Sequence, residues 1–446
     1  MKHNVMPIGT FQQIYALNLL ISLLLVHSKL KRYARYVKTN TKFGHWYYPL
    51  EQNKHATFFG IIRVPYLSEF MWEKVVFTIF LSILSLISLN ILQRIRNIYV
   101  QQIIYFLLFI VSILYFARVR THGLIHNKAD TVPWVLAIFC FNKNESNMIM
   151  QSILLLSLCY ASSGWLKIRK QGLKWANGIN LRRLVAQFML ELQQIEKPNI
   201  IQKLVLEYPI IGTFAQPCVL LFECFFPVVL FKNYSPLLNF ISVALILFGI
   251  SFHLGCLILF QIDFVHFWLP TYWALFCYFS DSTTGIFSNM IWDNEEFLYH
   301  PLTIFMVISF FIAHVRIHSG LNWPNSSFDL YNTKLSKNKI KYHALQLVDI
   351  NNKIVPFDMS ICSSSGMTRS FGYHYSKILK NDDLDEFLQV FLPKLLIAEG
   401  YIFKGMLLFK GVQIVELSNE LDHETNGRYV SYPPKLIERY IWQVVK

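Results

Sequence analysis

An apolar stretch rich in small residues ends in a lysine, Lys167. The segment reads Tyr160-Ala161-Ser162-Ser163-Gly164-Trp165-Leu166-Lys167. Small side chains suit close contact between helices in a membrane, and an ionisable group inside a membrane costs enough to suggest a function. Lys167 could extend to the lipid headgroups beside Arg169 and Lys170. Alternatively, in a dry pocket the amine would lose its charge and could act as a neutral base.

Further residues that could take part in a reaction follow Lys167 in a defined order. Trp175 and Gly178 form a Trp-x-x-Gly segment, Glu223 lies inside an apolar run, and Phe252 and His253 lie inside another. A carboxylate or a histidine in such a run is expensive unless it pairs, binds a ligand or faces a cavity. These side chains are therefore candidates for one site.

This order resembles the membrane region of the vitamin K-dependent gamma-glutamyl carboxylases and of the wider horizontally transferred transmembrane (HTTM) family. In that pattern a Tyr-x-x-small-Gly-x-x-Lys segment precedes a Trp-x-x-Gly, then an acidic residue in a later span, then a Phe-His pair. The matching residues here are Tyr160, Gly164, Lys167, Trp175, Gly178, Glu223, Phe252 and His253. The resemblance covers about residues 11 to 318.

The resemblance implies a mechanism for Lys167. A lysine at this position deprotonates reduced vitamin K, or another quinol, and oxygen then converts the anion into a much stronger base. That base removes a γ-proton from a glutamate of a protein or peptide substrate, whose carbanion captures carbon dioxide. The activity would be that of a carbon–carbon lyase or oxidoreductase coupled to quinol epoxidation, with no metal expected.

The resemblance also implies roles for the other matched residues. His253 would be catalytic, because it would stabilise negative charge developing on oxygen, although it could equally be a histidine satisfied between packed helices. Trp175, Glu223 and His126 are the expected substrate-binding residues.

Two features depart from the carboxylases. Their further histidine precedes the short apolar segment, but residues 121–130 read THGLIHNKAD here, and the register does not decide between His126 and Asp130. Their large lumenal module, which binds the substrate propeptide, has no match in the tail after Ser319. A relative with the same core that acts on another substrate, or on none, is therefore an equal expectation.

Two other classes of protein compete with this hypothesis. His122 and His126, like His314 and His318, are four residues apart, and on a helix each pair could share a metal in a membrane oxidoreductase. Such enzymes normally need several tight histidine clusters, whereas these pairs stand alone in the sequence. A non-enzymatic transport or assembly protein would predict paired, interrupted spans in the two halves of the chain, and the sequence shows no such pairs.

Apolar runs must position these residues. A membrane helix needs about 20 mostly apolar residues, and the sequence predicts seven to nine such helices. Two short or polar-interrupted runs, at 132–141 and 263–279, could be re-entrant or broken helices. The other predicted helices lie at 11–26, 75–92, 101–117, 147–166, 210–231, 237–260 and 299–317.

Two segments do not read as membrane spans. Apolar residues at three- and four-residue spacings over 173–196 predict an amphipathic helix at the membrane surface or capping the bundle. The composition changes at residue 319, so the chain divides into a transmembrane domain at 1–318 and a small α+β C-terminal module at 319–446, of unknown role. In that module strands are predicted at 343–357 and 401–417, and a helix at 382–396.

Composition favours an all-α polytopic membrane protein with this soluble module. Apolar residues make up 54% of the chain and charged residues 15%, well below the roughly 25% of soluble domains. Most of the net charge of +14 precedes residue 319, with a basic loop at 28–55 that we expect to face the cytoplasm. This distribution favours the lipid bilayer as partner over nucleic acid.

Overall fold

The structure is a computed structural model that is mostly helical. It describes residues 11–25, 57–58, 62–63, 70–89, 91–95, 97–121, 131–191, 198–260, 265–280, 295–315, 322–323, 339–357, 384–398, 402–403, 406–422 and 428–442. The described helices before residue 319 are α1 Phe11–Leu25, α2 Phe70–Ser88, α3 Ile98–Thr121, α4 Thr131–Phe141, α5 Glu145–Gln171, α6 Ile179–Glu191, α7 Ile200–Glu207, α8 Pro209–Phe225, α9 Pro236–Phe260, α10 Val265–Ser280, α11 Glu295–Leu298 and α12 Pro301–Val315. Short 3₁₀ helices lie at Leu92–Arg94, Gly172–Ala176 and Phe226–Tyr234.

Four helices are long and apolar enough to cross a membrane within the described residues. These segments are Ile98–Phe116, Ser146–Arg169, Pro209–Tyr234 and Pro236–Phe260. The other apolar segments predicted from the sequence also fold as helices, with boundaries a few residues away. However, α1, α2, α4 and α12 provide only shorter apolar helices, so the predicted count of seven to nine membrane helices is not confirmed. The basic loop at 28–55 lies outside the described residues.

Helix α5 is the central helix of the bundle. In the most apolar 18-residue stretch of this helix 78% of the residues are buried, against 28–39% in the corresponding stretches of the other three long apolar helices. It contacts α4, α8, α10 and α12, and its serines at 152, 157, 162 and 163 are all buried. Small side chains allow such close packing on several faces of a helix, so α5 can bring its polar residues against several neighbours.

The amphipathic segment forms α6, which begins after the 3₁₀ helix Gly172–Ala176. Helix α6 contacts α8, α9 and two strands of the C-terminal sheet. Leu184, Val185 and Met189 are buried. The apolar face predicted from the sequence is therefore covered by protein, between the bundle and the sheet.

The C-terminal module contains a four-stranded antiparallel sheet in the order β5-β4-β8-β9. The strands of the protein are β1 Thr57–Phe58, β2 Ile62–Arg63, β3 Asn322–Trp323, β4 Lys339–Asp349, β5 Ile354–Pro356, β6 Ile402–Phe403, β7 Met406–Leu407, β8 Phe409–Asp422 and β9 Arg428–Ile441. Helix α13, at residues 384–398, lies between β5 and β6 in the chain. The predicted strand pair at 343–357 corresponds to β4 and β5, joined where Asn352 has a φ of 66°, a left-handed conformation that asparagine tolerates. Strand β9 was not predicted from the sequence, because Pro433 and Pro434 interrupt the residue pattern typical of a strand.

Candidate functional site

Lys167 is buried near the end of α5 and forms an ion pair with Glu223 of α8. Nζ donates hydrogen bonds to both carboxylate oxygens of Glu223 at 2.6 Å, and the two side chains are 1% and 3% exposed. Nζ also donates to Ser163 Oγ at 2.8 Å, and that hydroxyl donates to Glu223 Oε1 at 3.0 Å. The amine therefore turns back into the bundle, whereas a snorkelling lysine would extend to the headgroups.

Gly164 allows α8 to approach closely enough for this ion pair. A Cβ atom at Gly164 would lie 2.8 Å from Cys224 Sγ, 3.0 Å from the Cys224 backbone nitrogen and 3.0 Å from Glu223 Cβ. Any side chain there would press on the backbone of α8. The small residue three positions before Lys167 thus sets the distance between the helices that carry the two charges.

Trp175 covers the ion pair from the 3₁₀ helix that follows α5. Lys167 Nζ lies 5.2 Å from the centroid of the Trp175 ring, within the range of a cation–π contact. The backbone carbonyl of Trp175 accepts a hydrogen bond from Gln216 Nε2 of α8 at 2.9 Å. This bond fixes the tryptophan beside the helix that supplies Glu223.

The chain can fold back at Trp175 because of two glycines in contact. Gly178 has a φ of +81°, and a Cβ there would lie 2.5 Å from the backbone nitrogen of Thr213. A Cβ at Gly212 would lie 2.6 Å from the carbonyl oxygen of Gly178. Both positions need glycine, the first also for its left-handed backbone, so the Trp-x-x-Gly segment is pressed against α8.

A second polar cluster lies further towards the beginning of α5. The Tyr160 hydroxyl is 2.5 Å from His253 Nε2 of α9 and 2.6 Å from the Tyr272 hydroxyl of α10. All three side chains are buried. Gly249 makes room for Tyr272, because a Cβ there would lie 2.1 Å from the Tyr272 hydroxyl oxygen. We refer to Tyr160, His253 and Tyr272 as the tyrosine–histidine cluster.

Aromatic rings surround the tyrosine–histidine cluster. The ring centroids of Phe222 and Phe226 lie 4.7 and 4.6 Å from that of Tyr160, and the Trp268 ring lies 5.4 Å away. Trp268 also lies 5.5 Å from the His253 ring. An apolar enclosure of this kind lowers the local dielectric and strengthens the hydrogen bonds within it.

The structure brings together three of the predicted site residues. Lys167, Glu223 and Trp175 form one cluster, but Glu223 contacts the lysine itself, where the resemblance implied a contact with substrate. His253 belongs to the other cluster, because its Nε2 is engaged by Tyr160. Tyr160 and Lys167 are seven residues apart on α5, so the clusters share one face of the helix, with their Cα atoms separated by about 10 Å of axial rise.

Several predicted residues cannot be placed. His122, His126, Asp130 and His318, and the side chain of His314, lie outside the described residues. The substrate-binding role of His126 and the metal-binding role of the histidine pairs therefore stay predictions. Within the part of the chain that the structure describes, there is no group of three or more histidine, cysteine or acidic side chains that could hold a metal ion.

Two contributors to the clusters were not identified as site residues from the sequence. Ser163 lies four residues before Lys167, so helical spacing alone places both on one face. Tyr272 belongs to the polar-interrupted run at 263–279, and no local signal connects it with Tyr160. Its contact depends on how α10 packs against α5 and on the space left by Gly249.

No family model, curated protein or solved structure matches the chain. The class of the protein therefore rests on its own fold. In the part of the chain that the structure describes, the protein is mostly helical, with four helices long and apolar enough to cross a membrane, a small antiparallel sheet near the C-terminus, and two buried polar clusters on the central helix.

Proposed function

We propose that the chain is a multi-pass integral membrane protein. Helix α9 exposes large apolar side chains, with Leu237, Phe240 and Leu247 at 67%, 71% and 60% exposure. Apolar surface of this extent is unfavourable in water and marks a surface that contacts lipid or another protein. Together with the four long apolar helices, it supports a bundle whose outer face lies in lipid and whose polar groups lie inside.

The buried core is a carboxylase-like active site that uses a quinol, and the Lys167–Glu223 pair is its base. The observation that carries this proposal is the contact of Lys167 Nζ with both oxygens of a carboxylate that is itself buried. Removing two such charges from water costs several kcal/mol for each ion. A chain that keeps them in an apolar core needs a reason beyond stability, and proton transfer is such a reason.

Lys167 acts as a base only together with Glu223. In the ion pair, the amine has no free electron pair to accept a proton. Transfer of one proton from Nζ to Glu223 leaves a neutral amine and a neutral acid, and the apolar surroundings favour this uncharged form over the separated charges. The amine can then accept a proton from a ligand hydroxyl, while Glu223 retains the first proton. Ser163 holds both partners in line through its hydroxyl.

The other residues of the core suit an uncharged, ring-bearing ligand. A reduced quinone would supply an acidic ring hydroxyl and, after reaction with oxygen, a base strong enough to remove the γ-proton of a glutamate, whose carbanion would then capture carbon dioxide. Trp175 would provide an apolar ring surface beside Lys167. The Tyr160 oxygen would accept a hydrogen bond from a ring hydroxyl of the ligand, and His253 would act through Tyr160, since its Nε2 contacts the Tyr160 hydroxyl.

The experiment supplies reduced vitamin K, oxygen and bicarbonate to the purified full chain and measures the epoxide formed. Wild type is expected to form epoxide, and Lys167→Ala none. Lys174→Ala is the matched control, because Lys174 is an exposed lysine seven residues away and its loss should leave the rate unchanged. Absence of epoxide from the wild type, or equal rates for wild type and Lys167→Ala, would contradict the proposal.

The variant Lys167→Arg distinguishes a role of Lys167 as a base from a purely structural role in the ion pair. Arginine keeps a positive charge opposite Glu223, but it does not lose its proton in proteins. If Lys167 is the base, Lys167→Arg folds with a stability near that of wild type and forms no epoxide. Epoxide formation by Lys167→Arg at the wild-type rate would show that the pair only holds α5 and α8 together.

A further inference from the structure

We propose that Tyr160 is a redox-active tyrosine, with His253 as the acceptor of its proton. Loss of an electron makes a phenol hydroxyl strongly acidic, and a buried phenol can be oxidised readily only where a base stands within hydrogen-bond distance. His253 Nε2 lies 2.5 Å from the Tyr160 oxygen. A base must lie within this distance of the proton that it accepts, so His253 meets the geometric requirement.

The hydrogen bonds of Tyr160 suit both its reduced and its oxidised form. A phenol hydroxyl donates one hydrogen bond and can accept others. When His253 carries its own proton on Nδ1, Tyr160 donates to Nε2 and accepts from the Tyr272 hydroxyl at 2.6 Å. After oxidation the proton lies on Nε2, and Tyr272 still donates to the Tyr160 oxygen. The tyrosine–histidine cluster therefore needs no rearrangement of heavy atoms when the electron leaves.

Other buried tyrosines of the bundle provide the contrast. Tyr15 and Tyr105 are 2% and 4% exposed, and neither hydroxyl has a hydrogen-bond partner among the described residues. Oxidation of either would leave a proton with no nearby acceptor in an apolar setting, where an added charge is costly. Burial alone thus does not make a tyrosine redox-active, and the histidine distinguishes Tyr160.

The surroundings of Tyr160 favour a long-lived radical. Phe222 and Phe226 pack against its ring at centroid distances of 4.7 and 4.6 Å, so water and dissolved reductants have little access. Trp268, at 5.4 Å, is an aromatic neighbour through which an electron could enter or leave. An electron can therefore pass between Tyr160 and Trp268 while the radical remains shielded.

The step balances as a transfer of one electron and one proton. The electron passes from Tyr160 to a one-electron oxidant, the Tyr160 O–H bond breaks, and the proton forms an N–H bond at His253 Nε2. The natural oxidant is an oxygen-centred radical, which is reduced to its anion. For this oxidant the inference rests on the proposed function, because oxygen chemistry at the neighbouring Lys167 site would generate such radicals. Tyr160 would then intercept an oxidising equivalent before it damages the core.

The test uses the full chain and an external oxidant, so it does not depend on epoxide formation. A photo-excited ruthenium complex with a sacrificial electron acceptor oxidises the protein, and electron paramagnetic resonance follows the tyrosyl signal over time. Exposed tyrosyl radicals should decay first. A persistent signal is expected in wild type and in the matched control Tyr105→Phe, is expected to be lost in Tyr160→Phe, and is expected to be several-fold weaker in His253→Gln.

A persistent signal that survives in Tyr160→Phe, or the absence of one in wild type, would overturn the inference. Should Tyr160→Phe fail to fold, wild type alone gives a second readout after exchange into heavy water. The persistent radical is then expected to couple to exchangeable deuterons from His253 and Tyr272, and a spectrum without such couplings would also overturn it. Epoxide formation without this radical would contradict the redox role of Tyr160 alone. The radical without epoxide would contradict the proposed function alone.

Discussion

In the first half of α5 the largest buried polar side chains, Asn147 and Gln151, are neutral amides, whereas in the second half Lys167 forms an ion pair with α8 and Tyr160 bonds a histidine of α9. Gln151 donates to Thr303 Oγ1 of α12 at 3.0 Å and accepts from Asn142 at 2.8 Å. Lys167 and Glu223, by contrast, carry formal charges into an equally buried environment. Both halves connect α5 to a neighbouring helix, but with groups of very different desolvation cost.

The difference shows which half of α5 is explained by packing. A hydrogen bond between neutral side chains inside a membrane contributes about 0.6 kcal/mol on average, enough to hold helices in register without a functional role. A buried ion pair often contributes no more than well-packed apolar residues would. Stability therefore accounts for the amides of the first half, but it does not account for Lys167 and Glu223.

The largest expected effect comes from breaking the ion pair on one side. Glu223→Gln leaves the Lys167 ammonium buried without its carboxylate, which should destabilise the protein by about 3–5 kcal/mol. The double variant Lys167→Met with Glu223→Leu removes both charges and should recover most of this loss. Unfolding in mixtures of mild detergent and sodium dodecyl sulfate measures the free energies.

The paired variants decide between stability and function for this half of the helix. A stable double variant that forms no epoxide would show that the charges serve chemistry. If Glu223→Gln were as stable as wild type, the ion pair would not be a buried interaction of the kind described, and the contrast between the two halves of α5 would lose its basis.

A smaller effect is expected from widening the contact between α5 and α8. Gly164→Ala places a Cβ within 3.0 Å of the Glu223 and Cys224 atoms, and overpacking of this kind typically costs about 1–3 kcal/mol. Gly255→Ala is the matched control, because a Cβ there would meet nothing within 4 Å. The same unfolding measurement applies to both variants.

The control should be neutral or slightly stabilising, since alanine is favoured over glycine in a helix by about 0.5–1 kcal/mol. Equal stability of Gly164→Ala and Gly255→Ala would mean that α8 can move away without cost. The close approach at Gly164 would then not be what holds Glu223 against Lys167.

Local pattern made much of the fold predictable, and long-range packing limited the prediction of the site. Apolar runs located the helices, because each run is long and distinct, although their number in the membrane does not follow from the runs alone. The pairing of Lys167 with Glu223, 56 residues apart, could have been proposed from the rule that charges inside a membrane find each other.

The contact of Tyr160 with Tyr272 could not have been proposed in this way, because neither side chain carries a charge that demands a partner. It depends on the angle at which α10 meets α5 and on the missing side chain of Gly249. His126 lies outside the described residues, so its predicted role in substrate binding stays a prediction.

The smallest expected effect tests the amide half of α5. Gln151→Leu removes the hydrogen bonds to Thr303 and Asn142 and leaves those groups buried without this partner, at a cost of about 0.6–1.7 kcal/mol, the range of such bonds in membranes. Ser251→Ala is the control, since among the described residues that exposed serine bonds only the carbonyl of Leu247 on its own helix, and its loss should change little. Epoxide formation should persist in both variants, because neither touches the Lys167 or Tyr160 clusters. If Gln151→Leu cost as much as Glu223→Gln, neutral amides and charges would contribute alike, and the ion pair would need no explanation beyond stability.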